Sequence, residues 1–216
     1  RLGVQIEFPT DQTCCGQPAF NAGAVPDARA MARHTLDVLS RSASPIVTPS
    51  GSCADMLVHQ YPAILAGDAH YGPLAEQIAA RTYEFSQFLV DVLGVTEADL
   101  AQFAQNKADT ADQSITYHPS CHLMRGLNVN DAPRQLLQAV GAQVNELNGA
   151  NECCGFGGLF AVKMSDISGA MLNRKLDNIE ANTVVGCDVS CLLHMGGGLH
   201  RRGSPITAKH IAEIIS

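Results

Sequence analysis

The feature that most constrains this chain is a unit that occurs twice. Thr13-Cys14-Cys15-Gly16-Gln17-Pro18 returns 139 residues later as Glu152-Cys153-Cys154-Gly155-Phe156-Gly157. A further cysteine follows each pair at almost the same distance: 37 residues separate Cys15 from Cys53, and 36 separate Cys154 from Cys191. The period is too long for a solenoid, so the pattern describes a duplicated half-domain. The second copy also has an upstream cysteine, Cys121 in His118-Pro119-Ser120-Cys121-His122, with 31 residues between it and Cys153. Its counterpart in the first copy would fall ahead of Arg1. The chain opens without Met and runs directly into strand-like Val4-Gln5-Ile6-Glu7-Phe8, so either the first unit lacks that cysteine or the natural N-terminus is missing.

The cysteines fall at the ends of short β-prone runs. Ile46-Val47-Thr48 leads into Pro49-Ser50-Gly51-Ser52-Cys53, Ile115-Thr116-Tyr117 into the turn at His118-Pro119 and Cys121, and Val184-Val185 into Cys187 and Cys191. Helical periodicity covers residues 27–40, 82–93, 133–140 and 165–180, the last with Ser165 as a cap and Ile167, Met171, Leu172, Leu176 and Ile179 on one face. Strands alternating with helices predict an α/β fold of two pseudo-repeated parallel βα units, with the cysteines at the carboxyl ends of strands, where such sheets collect ligands. The units are expected at 1–100 and 115–216, joined by a polar linker at 101–114.

Eight cysteines in 216 residues are many for a chain in a reducing compartment, where metal binding or redox chemistry explains them better than disulfides. Cys121, Cys153, Cys154 and Cys191 supply four thiolates from one unit, enough for an iron–sulfur cluster. Adjacent cysteines in a strand point to opposite faces, so both reach one metal group only where the backbone turns. Gly155 and Gly157-Gly158 supply that turn, because glycine accepts positive φ. Cys14, Cys15 and Cys53 form the corresponding set in the first unit, and Cys187 is a further candidate metal ligand. Zinc is the alternative metal, although the ligands are spaced more widely than in zinc ribbons. Thiol–disulfide exchange at the vicinal pairs, or cysteines that merely pack as small hydrophobes, are the remaining readings. His118, His122 and His194 flank the thiols as candidates for ligation or for hydrogen bonds to a cluster. Asp27, Asp55 and Asp166 read as helix caps or dipole partners, and Phe85, Phe88, Leu89 and Leu93 as core or a subunit contact. No catalytic residue is assigned.

In combination these segments resemble the cysteine-rich CCG-domain family, which includes the cysteine-rich subunit of heterodisulfide reductase, the glycolate oxidase iron–sulfur subunit and the lactate-utilization branch. Cys14-Cys15-Gly16-Gln17-Pro18-Ala19, Ser50-Gly51-Ser52-Cys53, His118-Pro119-Ser120-Cys121-His122, Cys153-Cys154-Gly155-Phe156-Gly157-Gly158 and Cys191-Leu192-Leu193-His194 carry the likeness, which is nearest to the lactate-utilization branch. It implies an iron–sulfur electron-transfer subunit with clusters of the 4Fe-4S type. It also implies an oxidoreductase role in L-lactate to pyruvate oxidation, with other iron–sulfur or dehydrogenase subunits of a lactate-oxidation complex as partners. Some relatives hold non-cubane clusters through a C-x₂-C pair; here Asp188 and Ser50 stand at the first position of that pair, with Cys187 one residue away.

Composition narrows the rest. Net charge is −7 with 14 scattered Lys and Arg, which offers no basic stripe for nucleic acid. No apolar run reaches the roughly 20 residues of a membrane span and no signal peptide is evident, so a cytoplasmic location is expected. Gly155-Phe156-Gly157-Gly158 lacks the context of a dinucleotide fingerprint, which argues against bound NAD or flavin.

Overall fold

A computed structural model describes residues 2–104 and 114–216. Its six short strands are β1 (Ile46–Thr48), β2 (Thr82–Glu84), β3 (Ser114–His118), β4 (Gln143–Glu146), β5 (Thr183–Gly186) and β6 (Thr207–His210). All pair in parallel. β1 and β2 form one sheet, and a second sheet has the order β4-β3-β5-β6, with Ile115 opposite both Val144 and Thr183. The chain is thus α/β with helices between parallel strands. The central strands β3 and β5 are buried almost throughout, as parallel strands covered on both faces must be.

Strand alternation sorts the side chains of β5 between two cores. Val184 joins Leu172, Met195, Cys154 and Cys191 on one face. Val185 and, just beyond the strand, Cys187 join Tyr117, Leu136, Leu137 and Ile211 on the other. The first half has its own core around Ala28, Leu36, Met56 and Tyr61. It also lends Leu89 and Phe85 to the core of the second half.

Several elements differ from the sequence expectation. Residues 82–93 are not one helix: Thr82–Glu84 completes the sheet with β1, and the helix starts only where the Glu84 carboxylate accepts from the Ser86 and Gln87 amides. A parallel edge offered by β1 outweighs the helical spacing of the apolar side chains. The helix Ser165–Leu176 starts without a side-chain cap, so Ser165 does not serve as one. Val4-Gln5-Ile6-Glu7-Phe8 forms no strand and is unpaired among the described residues, leaving Ile6 87% and Phe8 71% exposed. The helix Glu97–Ala104 takes the first positions of the expected linker, whose residues 105–113 lie outside the described residues. No helix among the described residues is long and apolar enough to cross a membrane.

Glu84 is fully buried, and its second carboxylate oxygen lacks a partner among the described residues. Burial pushes its carboxyl up, against the pull of Ser86 and Gln87. A raised native value means that the folded chain holds this proton more tightly than the unfolded chain does. Stability from this group is therefore greatest below its ordinary value of about 4.5 and falls as pH rises from there through the raised value. Glu84→Gln keeps a capping oxygen and removes the ionisation. Its melting temperature relative to the parent is expected to climb between pH 4 and pH 7, as scanning calorimetry at several pH values would show; a constant difference would contradict the buried-charge account.

Candidate metal centre

Three loops of the second half converge beyond the sheet. β3 runs through Pro119 and Ser120 into Cys121. β5 runs through Cys187 and Asp188 into the helix Val189–Arg201, whose first turn carries Cys191. Between them comes the Cys153-Cys154-Gly155 loop. Gly155 has φ 90°, and a Cβ there would lie 2.7 Å from the Ser168 carbonyl oxygen. Ser168 in turn donates to the Gly155 carbonyl at 2.8 Å. Only glycine lets the loop press so closely on the helix Ser165–Leu176, and this turn places the adjacent thiols side by side. Gly16, with φ 85° and its Cβ position 3.2 Å from Met31, repeats the device in the first half.

The thiols form a chain of contacts. Cys154 Sγ donates to Cys191 Sγ at 3.1 Å. Cys153 is drawn down as a thiolate, first by the Cys121 thiol and then by Cys154, with the Gly155 amide adding a contact at 3.4 Å. The Cys121 and Cys154 thiols, donating toward Cys153, are pushed up correspondingly. His118 completes the group: a ring nitrogen and the Cys154 and Cys191 sulfurs lie within 4.8 Å of one another. It is 1% exposed, and neither ring nitrogen has a hydrogen-bond partner among the described residues. Burial, helped by Lys175, lowers its pKa to about 4, so the imidazole is neutral at physiological pH and offers a lone pair. A buried imidazole with no hydrogen-bond partner among the described residues, beside two thiols that continue into a chain of four, is the donor set of a soft-metal site.

Nothing in the sequence marks Lys175, which sits among the polar positions of a helix. It is 1% exposed, and its Nζ donates to the carbonyls of Gly149 (2.8 Å), Ala150 (3.1 Å) and Glu152 (2.8 Å), pinning the loop ahead of the cysteine pair and setting a cation beside the thiols. His194 packs beneath the loop, with its ring 5.8 Å from Phe156 and Nε2 3.4 Å from Ser168 Oγ.

In the first half Cys15 Sγ donates to Cys53 Sγ at 3.2 Å, raising Cys15 and lowering Cys53. Cys14 is exposed. Cys187 is set apart from both groups: its side chain falls on the Val185 face of β5, 3.9 Å from Tyr117 Oη, and the charged neighbours that push its thiol up, after burial itself, are Glu84 and Asp188 rather than other cysteines.

A polar wall joins the two groups of thiols. Asp188 accepts from the Ser52 amide at 2.8 Å and Ser50 Oγ at 3.0 Å, while also capping the helix of Cys191. Asp55 is not a helix cap. It bonds His122 Nδ1 at 2.7 Å and His59 Nδ1 at 3.0 Å, and Gln17 Nε2 meets His122 Nε2 at 3.1 Å. His122 therefore faces the first unit rather than the cluster of thiols containing Cys121.

Parallel βα units that bring thiols from strand ends and left-handed Cys-Cys-Gly turns into one buried group define a cysteine-rich protein with metal-site geometry. A family model for the CCG cysteine-rich domain matches residues 1–58 and 115–196. Lactate utilization protein A of Anoxybacillus flavithermus is 46% identical over 220 aligned positions, covering all of this chain and 88% of the relative. The proteins of that name from Geobacillus sp. WCH70 and Lysinibacillus sphaericus are 44% and 43% identical, with 88% and 92% of the relative covered. The chain belongs to the cysteine-rich CCG-domain family.

Lys175→Met would strand three carbonyls and is expected to cost about 3 kcal/mol of stability in denaturant unfolding, since unmet buried groups carry roughly 1–3 kcal/mol each. Arg174→Met, which loses only an exposed 3.5 Å pair with Glu152, is expected to cost less than about 0.5 kcal/mol. Equal losses would contradict the anchoring role of Lys175.

Proposed function

We propose that this chain is an iron–sulfur electron-transfer subunit of a system that oxidises L-lactate to pyruvate. The observation that carries the reading is the run of contacts from Cys121 through Cys153 and Cys154 to Cys191, with Cys154 and Cys191 within 4.8 Å of the buried His118, whose ring nitrogens have no partner among the described residues. The donor set fits a thiolate-bound iron–sulfur cluster, with the four cysteines as ligands and His118 as a further ligand or a partner of cluster sulfur. Such a cluster, when bound, supplies one-electron transfer. The chain's own groups prepare the site: Lys175 offsets thiolate charge, the Gly155 amide points at Cys153 sulfur, and Leu172, Leu176 and Met195 keep water away. Cys14, Cys15 and Cys53 form the beginning of a corresponding site in the first unit.

The names of the relatives support lactate utilization as the setting. Partner subunits carrying further iron–sulfur clusters or a dehydrogenase would take or deliver the electrons, in the cytoplasm where thiols stay reduced. A zinc-bound scaffold without redox chemistry is the second reading, favoured by one observation: a histidine and two cysteines within 4.8 Å also suit zinc.

Metal and acid-labile sulfide analysis after anaerobic reconstitution separates the two. Iron with sulfide is expected in the parent and in Cys187→Ala, and at least a tenfold loss is expected in Cys153→Ser. Zinc without iron, or iron retained by Cys153→Ser, would overturn the proposal.

A further inference from the structure

The thiol contact of the first half is selective. Cys15 Sγ donates to Cys53 Sγ at 3.2 Å, while Cys14, next to it in the chain, is exposed and stands outside that contact. The two loops that carry the pair are held against each other. Tyr61 Oη donates to the Cys15 carbonyl at 2.8 Å, Gln17 Nε2 reaches the Ser52 carbonyl at 3.4 Å, and both cysteines pack on the core that contains Met56 and Tyr61. The second half repeats the choice of partner: Cys154, again the second residue of its vicinal pair, donates to Cys191 at 3.1 Å. There Cys153 continues the contacts to Cys121. In the first half the contact of Cys15 with Cys53 is a single pair among the described residues.

Two sulfurs 3.2 Å apart need to approach by only about 1.1 Å to reach the roughly 2.05 Å of a disulfide bond. The vicinal pair is worse placed. Consecutive Cα atoms lie about 3.8 Å apart, short of the roughly 4.4 Å at which disulfide spacing begins. Access is uneven as well. Cys53 is half-buried and Cys15 is buried, so a small oxidant meets Cys53 first and the oxidised sulfur then meets Cys15.

We infer that Cys15 and Cys53 form a reversible disulfide when the first unit holds no metal and meets hydrogen peroxide. The Cys53 thiolate attacks peroxide: an S–O bond forms, the O–O bond breaks, and hydroxide leaves and is protonated by solvent. The Cys15 sulfur then attacks the Cys53 sulfur. The S–S bond forms, the S–O bond breaks, and the departing oxygen takes the Cys15 proton and leaves as water. Two electrons pass from the sulfurs to peroxide, which ends as two waters. With Cys15 in contact, the disulfide forms ahead of the further oxidation of Cys53 to sulfinic acid, which thiols do not reverse. A dithiol reductant restores both thiols. The oxidised pair offers no thiolate, so the first unit accepts a metal group only while reduced; this consequence rests on the proposed cluster reading, and the disulfide itself does not.

Disulfide mapping tests the inference on chelator-treated, reduced protein given about two equivalents of hydrogen peroxide, then alkylated and digested without reductant. Mass spectrometry is expected to find Cys15 joined to Cys53, with Cys14 alkylated, and dithiothreitol is expected to reverse the link. In Cys15→Ser the resolving thiol is gone, and Cys53 is expected to be captured by dimedone about tenfold more than in the parent. A Cys14–Cys15 link, sulfinic acid at Cys53 in the parent, or Cys15 and Cys53 both recovered alkylated would overturn the inference. The mapping involves no iron, so its outcome is separate from that of the metal and sulfide analysis.

Discussion

Asp188 is 2% exposed, and its two carboxylate oxygens are divided between the halves of the molecule. One caps the helix of Cys191 through the Ser190 and Cys191 amides and Ser190 Oγ; the other receives the Ser52 amide and Ser50 Oγ from the loop that ends at Cys53. Burial works against a charge here, yet these donors hold the carboxyl below its ordinary value. An uncompensated carboxylate would be too costly in such a place, so its donors fix the loops around it. The relative position of the two groups of thiols depends on this contact. The neighbouring close approaches have no slack either: a Cβ on Gly51 would lie 2.7 Å from Leu123, and one on Gly126 would lie 2.4 Å from Asp55.

The same logic of burial governs the thiols. Several sulfur atoms brought together out of water cannot all ionise without compensation. The protein supplies it with one thiolate held by neighbouring S–H donors, a backbone amide and the buried Lys175. His118 stays neutral because its burial, helped by the nearby Lys175, outweighs the pull of Asp188 and Cys153. A soft cation would relieve this arrangement in one step, meeting the imidazole and drawing protons from the remaining thiols. The polarity of the fold therefore makes sense as preparation for a metal group.

Much of this was legible in the chain. The repeated Cys-Cys-Gly and its spacing to Cys53 and Cys191 pointed to paired βα units, and β1, β3 and β5 lie where the short β-prone runs predicted them. What stayed hidden depended on pairing or on burial. Residues 82–84 read as helix because their apolar spacing is helical, and only the edge of β1 makes them a strand. β4 and β6 are short and polar enough to pass for loops. Lys175 and Asp188 belong to types that usually mark solvated faces, and nothing local announces that they are enclosed. Cys187 looked equivalent to the other cysteines, but one step along β5 turned it to the opposite core. Asp55 resembled a cap in the sequence and is the bridge to His122.

The most direct measurement is the iron K-edge X-ray absorption spectrum of anaerobically reconstituted protein, compared with that of His118→Ala. Sulfur atoms surrounding iron, an Fe···Fe contribution, and a change at the edge in the variant would confirm a cluster seated among Cys121, Cys153, Cys154 and Cys191 beside His118. Iron surrounded by oxygen and nitrogen, with no Fe···Fe contribution and no response to the substitution, would contradict it.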